Sequence, residues 1–348
     1  MLSLEKAAVR LFGPGGRLPG SSTNLKRKRA QARFSFLAPR IQASLPEVWN
    51  ATLVARSVGF VGAGRMGGAI ALRIANDRAW DVHVYDPSPD AVRRFDGSSA
   101  RIAATPCELA ERCEFVVSSL PLPEHVRALY SETGILGALR AASVVVDIST
   151  IDPNTGRAVA DAVASRGAAF VASPLGMGPR QAADGTLPLY LGGDPAALER
   201  ARELLRAFSP NHFVVGGVEQ AYAAKLAINY VSMSNLAVLL EGFGIGIAAG
   251  VDPNLLCSLM QDGGARSFQA EVRLPWVLAG DFATRFGIDL AQKDLRLAVD
   301  LAARQRAPAA AGAAALQHFS SAQRHGLGAS DIGALWQVLR PDAGSEPE

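Results

Sequence analysis

The sequence predicts an α/β fold, a doubly wound parallel sheet of the Rossmann type, followed by an all-helical C-terminal domain. Two observations carry this prediction. Short apolar runs alternate with helix-like segments between residues 57 and 172, the pattern of a parallel sheet covered by helices on both faces. From about residue 221 the apolar runs become long and strand-like segments end. We therefore assign residues 56–220 to a sheet domain and residues 221–340 to a helical domain.

The first strand-helix-strand unit contains a glycine turn. The apolar run Val58–Val61 leads into Gly62, Gly64 and Gly67, which have G-x-G-x-x-G spacing. In a dinucleotide site the first glycine permits the tight turn, the second lets backbone N–H groups approach a pyrophosphate, and the third lets helix and strand pack closely. The helix N-terminus and its dipole favour the phosphates. An ordinary glycine turn is the alternative, because the chain contains 34 glycines.

A carboxylate closes the second strand-like run. Asp86 follows the run VHVY and stands 19 residues after Gly67, where a carboxylate accepts hydrogen bonds from ribose hydroxyls. Its charge would repel a 2′-phosphate, and Pro87 rather than an arginine follows it, so the sequence favours NAD over NADP. Arg93 and Arg94 come later in the chain and keep NADP open as the alternative.

Three further strand-like runs follow, Phe115–Leu120, Ala142–Ile148 and Ala168–Ala172. Ligands of doubly wound sheets collect at the carboxyl ends of the strands. The residue pairs after these runs are therefore predicted to face the nicotinamide end of a cofactor: Leu120 and Pro121, Ser149 and Thr150, Ser173 and Pro174.

The helical half opens on a long apolar segment. Residues 221–250 contain no basic residue after Lys225 and a single acid, Glu241. The length would suit a membrane span, but Asn229 and several other polar residues interrupt it. We predict a long buried helix at the domain and subunit boundary instead. Further helices are predicted at about 253–262, 267–279, 288–306 and 308–326.

The first 55 residues differ in composition from the rest. Residues 1–50 hold nine Lys/Arg and two Asp/Glu, a net charge of +7, whereas the remainder carries 26 basic and 30 acidic side chains. We interpret residues 1–55 as a disordered extension or as upstream sequence from a wrong start site, and organelle targeting by this basic segment stays open. The mildly acidic remainder argues against nucleic acid. Three cysteines without metal-type spacing favour a reducing compartment, and we expect a cytoplasmic location.

Two features point to chemistry beyond cofactor binding. Lys225 and Asn229 are four residues apart and share one helix face. Burial lowers the pKa of a lysine, so a lysine in an apolar helix can exchange a proton near neutral pH, although a side chain that reaches solvent from the helix end is the equal alternative. The stretch from Pro174 to Gly193 contains Gly176 and Gly178, which permit a turn that presents N–H groups to an anion, or form a plain loop.

These segments resemble the β-hydroxyacid dehydrogenase family, the group of 3-hydroxyisobutyrate dehydrogenase and tartronate semialdehyde reductase. The match covers about residues 57–330. Five segments match family motifs in order: GFVGAGRMGGAIALRI, DISTIDP at 147–153, the loop from Pro174 through GTL to Gly193, KLAINY at 225–230 and KDL at 293–295.

The resemblance implies hydride transfer between the nicotinamide C4 and the carbinol carbon of a small hydroxyacid, without a metal. Lys225 would be the general acid/base, and Asn229 would position the substrate oxygen. The substrate would also contact Ser149, Pro174, Gly176, Met177 and Gly178. The cofactor would contact the glycine turn and the strand ends: Gly62, Gly64, Arg65, Met66, Gly67, Asp86, Leu120, Pro121, His125, Thr150 and Lys293.

The substrate loop departs from the family pattern. The usual D-A-P-V-S-G-G reads ASPLGMG at 172–178, so a glycine, at position 176, replaces the serine that donates to the substrate carboxylate. The P-L-G segment resembles the sulfolactaldehyde reductase subgroup, but Met177 stands where that subgroup has arginine. Either Arg180 takes over, or the substrate lacks a sulfonate-like group. Ile228 also replaces the first asparagine of the family's N-N pair, whereas Asn229 keeps the second.

We therefore expect an NAD-preferring oxidoreductase that acts on a small β-hydroxyacid or its semialdehyde. The expected partners are this small-molecule substrate and further copies of the chain, in a homodimer or homotetramer, with no membrane and no nucleic acid. Two alternatives remain at this point. One is an imine reductase of related fold, against which Lys225 argues, and the other is a catalytically silent protein that binds NAD as a scaffold.

Overall fold

A computed structural model describes residues 56–341, so the predicted extension at residues 1–55 lies outside the described residues. Eight strands within this range form one sheet in the order β3-β2-β1-β4-β5-β6-β7-β8. β1 to β6 run parallel, β7 is antiparallel to β6, and β8 is parallel to β7. This order confirms the doubly wound sheet. The strands are β1 (Arg56–Val61), β2 (Trp80–Tyr85), β3 (Arg101–Ile102), β4 (Phe115–Ser118), β5 (Val144–Asp147), β6 (Ala169–Ala172), β7 (Leu189–Gly193) and β8 (His212–Gly216).

The strands at one end of the sheet differ from the sequence prediction. The plain-loop alternative for Pro174–Gly193 is wrong for the last five residues, which form β7. Leu189 and Leu191 are buried there and alternate with the half-buried Tyr190, the pattern of a strand with one covered face. Three residues of alternation are too few to recognise in a segment that begins after a proline and ends in two glycines.

Helices cover both faces of the sheet and form the C-terminal half. They are α1 (Arg65–Ala75), α2 (Pro89–Arg93), α3 (Pro106–Arg112), α4 (Pro123–Leu129), α5 (Pro153–Ser165), α6 (Pro179–Asp184), α7 (Pro195–Phe208), α8 (Val218–Ala248), α9 (Pro253–Asp262), α10 (Phe268–Val272), α11 (Leu274–Leu278), α12 (Ile288–Arg304), α13 (Ala310–Arg324) and α14 (Trp336–Leu339), with short 3₁₀ turns at Leu136–Ala138 and Ile332–Leu335.

The core consists of two apolar layers on the sheet and one among the helices. α1 and α7 contribute Ile70 and Leu204 to the layer on one face. α3 and α5 contribute Leu109 and Val163 to the layer on the other face. The helices that follow α8 share the third cluster, which includes Phe319 of α13. Because strands β1, β4 and β5 are covered on both faces, they read as continuous apolar runs.

α8 joins the sheet to the helical half. Tyr222 in its first turns belongs to the apolar layer on the sheet, and Leu236 and Phe243 further along belong to the helical cluster. The helix begins at Val218, so the predicted boundary between residues 220 and 221 falls inside it. The extent of the two domains stays a prediction.

The buried-helix prediction holds for one side of α8. This helix is long and apolar enough to cross a membrane, but the core helices of soluble proteins can have the same length and composition. Its buried side packs against the sheet and against α12 and α13. On the other side Val231, Val238 and Ile245 are more than half exposed in the single chain.

The helix predicted at 267–279 is divided in two. α10 ends at Val272 and α11 begins at Leu274, with Arg273 between them. Pro275 has no backbone N–H to continue the hydrogen bonds of α10. Arg273 is itself buried, and its Nε lies 3.3 Å from Asp331 Oδ1, so the break is held by a buried ion pair.

α5 approaches α8 through a glycine, which yields a stability prediction. A Cβ built on Gly156 would lie 2.2 Å from Cε2 of Tyr222, so Gly156→Ala should lower the free energy of unfolding by about 1–3 kcal/mol through overpacking. The control is Gly242→Ala inside α8, where the nearest atom, Met260 Cε, lies at an ordinary 3.6 Å. Chemical denaturation measures both variants. Equal stability changes for the two would contradict the prediction.

Candidate active site

The three glycines of the turn after β1 have different surroundings. Gly62 has φ of +98°, and a Cβ there would lie 2.3 Å from the carbonyl oxygen of Ser119. A Cβ on Gly67 would lie 2.2 Å from Gly62 O, so both positions need glycine. Gly64, at the start of α1, has no atom within 4 Å of the Cβ position. The turn is therefore closely packed at Gly62 and Gly67 and open at Gly64, next to the N-terminus of α1. This arrangement leaves room for a pyrophosphate at the helix N-terminus.

Asp86 holds this turn through its carboxylate. The two oxygens accept hydrogen bonds from the N–H groups of Ala63, at 2.7 Å, and Ser88, at 2.9 Å. On the other side of the turn, Arg94 Nη1 donates to Gly64 O at 2.9 Å. Arg94, one of the two arginines that kept NADP as an alternative cofactor in the sequence analysis, therefore lies directly at the glycine turn.

The other two predicted residues of the turn face other parts of the protein. Arg65 donates a side-chain hydrogen bond to the carbonyl oxygen of Thr284, in the helical half. Met66 is partly buried and packs against the apolar layer that covers the sheet. The backbone of both residues still belongs to the first turn of α1.

A fully buried carboxylate lies where β5 ends. Asp147 accepts hydrogen bonds from the hydroxyls of Ser118 at 2.6 Å, Ser149 at 2.8 Å and Tyr222 at 2.7 Å. Burial raises the pKa of Asp147, and the three hydroxyl donors oppose part of that rise. Ser149 Oγ also accepts a hydrogen bond from the Leu120 N–H at 2.9 Å. This carboxylate therefore positions two of the predicted strand-end residues at once.

Lys225 starts a second buried chain of hydrogen bonds. Its Nζ donates to Asn229 Oδ1 at 2.9 Å, and Asn229 Nδ2 donates to Asp294 Oδ2 at 2.7 Å. Lys293 Nζ donates to the carbonyl oxygen of Thr150 at 2.6 Å. Lys293 Nζ also lies 2.6 Å from Asp294 Oδ1, close enough for a charge interaction but without the alignment of a hydrogen bond. The structure thus brings Lys225, Asn229, Lys293 and Thr150 together.

The surroundings of Lys225 determine its proton affinity. The side chain is on the buried side of α8, so the alternative of a lysine that reaches solvent is wrong. The pKa of Lys225 is lowered to about 8, chiefly by burial; the charge of Asp294 opposes this fall, and nearby Lys293 adds to it. An amine with this pKa exists in both protonation states near neutral pH, which is what a general acid/base requires.

Two protein-family models match consecutive parts of the chain. Residues 57–217 match the NAD binding domain of 6-phosphogluconate dehydrogenase. Residues 220–339 match the family described as the NAD-binding domain of NADP-dependent 3-hydroxyisobutyrate dehydrogenase.

Named relatives cover almost the whole chain. It is 28% identical to mitochondrial 3-hydroxyisobutyrate dehydrogenase of Bos taurus over 94% of this chain and 98% of that protein. It is 31% identical to 3-sulfolactaldehyde reductase of Escherichia coli over 83% of this chain and 97% of that protein. A solved Mycobacterium tuberculosis 3-hydroxyisobutyrate dehydrogenase with L-serine superposes with a TM-score of 0.74, at 26% identity over 83% of this chain and 100% of that chain.

The chain belongs to the β-hydroxyacid dehydrogenase family. Membership makes it an oxidoreductase of the hydroxyacid dehydrogenase type that uses NAD(P). The predicted cofactor class and the predicted family are therefore confirmed.

The substrate loop of this family has an unusual form here. Gly176 is buried, and its N–H donates to Pro188 O at 2.9 Å, whereas Gly178 N–H donates to the side chain of Gln181 at 3.3 Å. Met177, where the family pattern has glycine, keeps a glycine-like φ of +63° and is 57% exposed. The loop starts at the end of β6, where Ser173 N–H donates to Asp147 O at 2.8 Å. Pro174 to Gly178 therefore lie at the same edge of the sheet as Ser149.

Two of the predicted cofactor-binding residues make no hydrogen bond to the groups around Asp147 and Lys225. Pro121 and His125 are exposed, just before and within α4. The His125 side chain makes no hydrogen bond to another residue in the range 56–341, although it lies only five residues after Leu120. Their contact with a cofactor stays a prediction.

Sequence reasoning missed the buried acids and the tyrosine that organise this edge. Asp147 and Asp294 stood inside quoted motifs, DISTIDP and KDL, but neither was assigned a role. Their position beside residues with assigned roles was the available signal. Tyr222 had no such signal, because its partner Asp147 is 75 residues away in the chain.

Proposed function

We propose that this protein is an NAD-preferring dehydrogenase that interconverts a small β-hydroxyacid and its semialdehyde, with Lys225 as the general acid/base. The observation that carries the proposal is the buried Lys225 Nζ, held by Asn229 on the helix that faces the carboxyl ends of the strands. The class of reaction follows from the family, and the substrate and the role of Lys225 are proposals.

The proposed reaction divides between cofactor and protein. When bound, the nicotinamide cofactor would supply the acceptor for the hydride that leaves the carbinol carbon during oxidation. The hydroxyl proton of the substrate passes to the neutral Lys225 Nζ, and the same proton returns to the carbonyl oxygen during reduction. Asn229 holds the amine through its Oδ1, and Asp294 holds the Asn229 amide through the Nδ2 hydrogen bond. The amide orientation is therefore supported from both ends.

The surroundings of the glycine turn support NAD as the preferred cofactor. Asp86 places a carboxylate at the end of β2, where it would repel a 2′-phosphate. Arg94 is the feature that would favour NADP, but its guanidinium is engaged with Gly64 O. A substrate with a carboxylate rather than a sulfonate is supported by Met177, which replaces arginine in the loop. The names of the relatives are consistent with three-carbon or four-carbon acids.

The cytoplasmic location remains a proposal. The Bos taurus relative is named as mitochondrial, which is the organelle alternative that the basic N-terminal segment left open. Residues 1–55 lie outside the described part of the chain, so the support comes from composition alone. Localisation of a full-length fluorescent fusion, with and without residues 1–55, distinguishes cytoplasm from organelle.

The assay that tests the function is a substrate panel run with NAD and with NADP. The panel contains 3-hydroxyisobutyrate, glycerate and a three-carbon hydroxysulfonate for oxidation, and a cyclic imine for reduction with NADH and with NADPH. We expect turnover of a hydroxyacid with NAD, and we expect Lys225→Met to lower kcat/KM by about 10²- to 10⁴-fold because the proton acceptor is lost. Lys225→Met should still bind NADH, as measured by fluorescence. The control is Arg206→Met, on the exposed side of α7.

Three results would contradict this proposal in different ways. Turnover of the imine alone would favour the imine reductase alternative. No turnover of any compound, with NADH binding intact, would favour the catalytically silent scaffold. Full activity of Lys225→Met on a hydroxyacid would leave the reaction in place and remove Lys225 as its general acid/base.

The pKa of Lys225 predicts opposite pH profiles for the two directions. Oxidation needs the neutral amine, so its kcat/KM should rise with pH and level off above about pH 8, whereas reduction should fall over the same range. Asp294→Asn should move the inflection to lower pH, because the acid raises the pKa of Lys225. Lys293→Met should move it to higher pH, because that lysine lowers the same pKa. Shifts of the same sign in both variants would be inconsistent with Lys225 as the titrating group.

We also propose that the dehydrogenase is a homodimer or homotetramer that associates through α8. The exposed Val231, Val238 and Ile245 repeat every seven residues and therefore share one side of the helix, which is uncharged from 226 to 240. Val238→Asp should reduce the mass measured by light scattering to that of one chain. The control Ile102→Asp changes another exposed apolar residue, on β3. An unchanged mass in Val238→Asp would contradict the interface.

A further inference from the structure

The buried side of Gly176 is occupied by Pro188, which precedes β7, and by Tyr190 within β7. A Cβ on Gly176 would lie 2.5 Å from Pro188 Cγ and 2.7 Å from the hydroxyl oxygen of Tyr190. A serine at this position, as in the usual family loop, could not be accommodated without displacing both. The Tyr190 hydroxyl therefore lies where the side chain of that serine would begin.

Tyr190 is on the face of β7 that α8 covers. Its neighbours Leu189 and Leu191 point into the apolar layer on the other face. Gly192 shares the face of Tyr190, and a Cβ there would lie 2.8 Å from Ala221 Cβ on α8. Lys225 follows Ala221 one helical turn later, on the same side of α8. The hydroxyl of Tyr190 therefore lies beside the substrate loop, on the face of β7 that is turned toward the helix of the proposed general acid/base.

The hydroxyl of Tyr190 is free to bind a ligand. It donates no hydrogen bond to another residue between 56 and 341, and it is not a fully buried atom, since Tyr190 is only partly buried. The ring is 6.2 Å from the ring of Phe213 on the neighbouring strand, so the phenol is held in place by packing. Burial raises the pKa of Tyr190, which keeps the hydroxyl protonated and able to donate at physiological pH.

The N–H groups of the two loop glycines and the side chains of Met177 and Arg180 do not supply a free donor in the loop. The N–H groups of Gly176 and Gly178 are bonded within the loop. Met177 has no polar side chain and is 57% exposed. Arg180, the sequence candidate to replace the missing arginine, has a side chain that is 89% exposed and lies 3.8 Å from Asp184 on its own helix, so the structure does not place it in the loop.

We propose that the Tyr190 hydroxyl takes over the role of the missing serine and donates a hydrogen bond to the carboxylate of the substrate. The inference rests on the proposed function, since it assigns the acid-binding group of that same site. One added neutral donor suits the two acceptor oxygens of a carboxylate. A sulfonate or phosphate has three acceptor oxygens and would call for the cationic side chain, with its several donors, that the loop lacks at Met177.

The test compares an acid with its neutral analogue in Tyr190→Phe, which keeps the ring and removes only the hydroxyl. With NAD, kcat/KM for 3-hydroxyisobutyrate should fall by about 10- to 100-fold, the value of a hydrogen bond to a charged group. The value for 2-methyl-1,3-propanediol, which has a hydroxymethyl group in place of the carboxylate, should stay within about twofold. The control Phe213→Leu alters the packing of the ring and should leave the ratio of acid to diol unchanged.

A binding measurement separates this inference from the proposed function. Isobutyrate has the carboxylate but no hydroxyl to oxidise, and calorimetric titration into the NAD-loaded full chain should give about tenfold weaker binding for Tyr190→Phe. Equal losses of kcat/KM for the acid and the diol in Tyr190→Phe, or no loss for either, would overturn the role of Tyr190. The proposed function would still stand if the unsubstituted protein turns over the hydroxyacid. Tyr190-dependent binding of isobutyrate without turnover of any hydroxyacid would overturn the function and keep the acid site.

Discussion

The buried carboxylate of Asp147 connects the sheet to the helix that carries Lys225. It accepts hydroxyl donors from β4, from the turn after β5 and from α8, at 2.6 to 2.8 Å. A buried carboxylate without donors is costly, so each of these three elements is constrained to present its hydroxyl there. Tyr222 is the donor on α8 and lies three residues before Lys225. The hydrogen bond that satisfies Asp147 therefore also sets the rotation of α8 that turns Lys225 toward the strand ends.

At the same edge of the sheet, Lys293 and Asp294 have opposite effects on the pKa of Lys225. Burial alone would favour the neutral amine strongly, and Lys293 adds to this effect. Asp294 opposes both, and its hydrogen bond to Asn229 fixes the amide that holds the amine. Because Lys293 also binds the carbonyl oxygen of Thr150, the helical half contacts the sheet next to Ser149. Lys293 thus affects the proton affinity of Lys225 and also joins the helical half to the sheet.

The substrate loop shows how a local change in sequence is compensated by a distant residue. Loss of the loop serine at Gly176 leaves room for Tyr190, which reaches the same place from β7. Sequence comparison of the loop alone records only the loss. The proposed replacement is visible because β7 runs back along the loop, with the N–H of Tyr190 bonded to the carbonyl oxygen of Pro174 at 3.1 Å.

The sequence by itself determined the doubly wound sheet, the glycine turn with its terminal acid, and the pairing of Lys225 with Asn229, because these depend on residues close together in the chain. Glycine spacing, apolar runs and an i, i+4 pair are local patterns, and the tertiary structure preserves them. Only the tertiary structure decided which acids and hydroxyls meet. Asp147 with Tyr222, Asn229 with Asp294, and Gly176 with Tyr190 are contacts that form when β7 and α8 fold back onto the strand ends, and no local pattern encodes them.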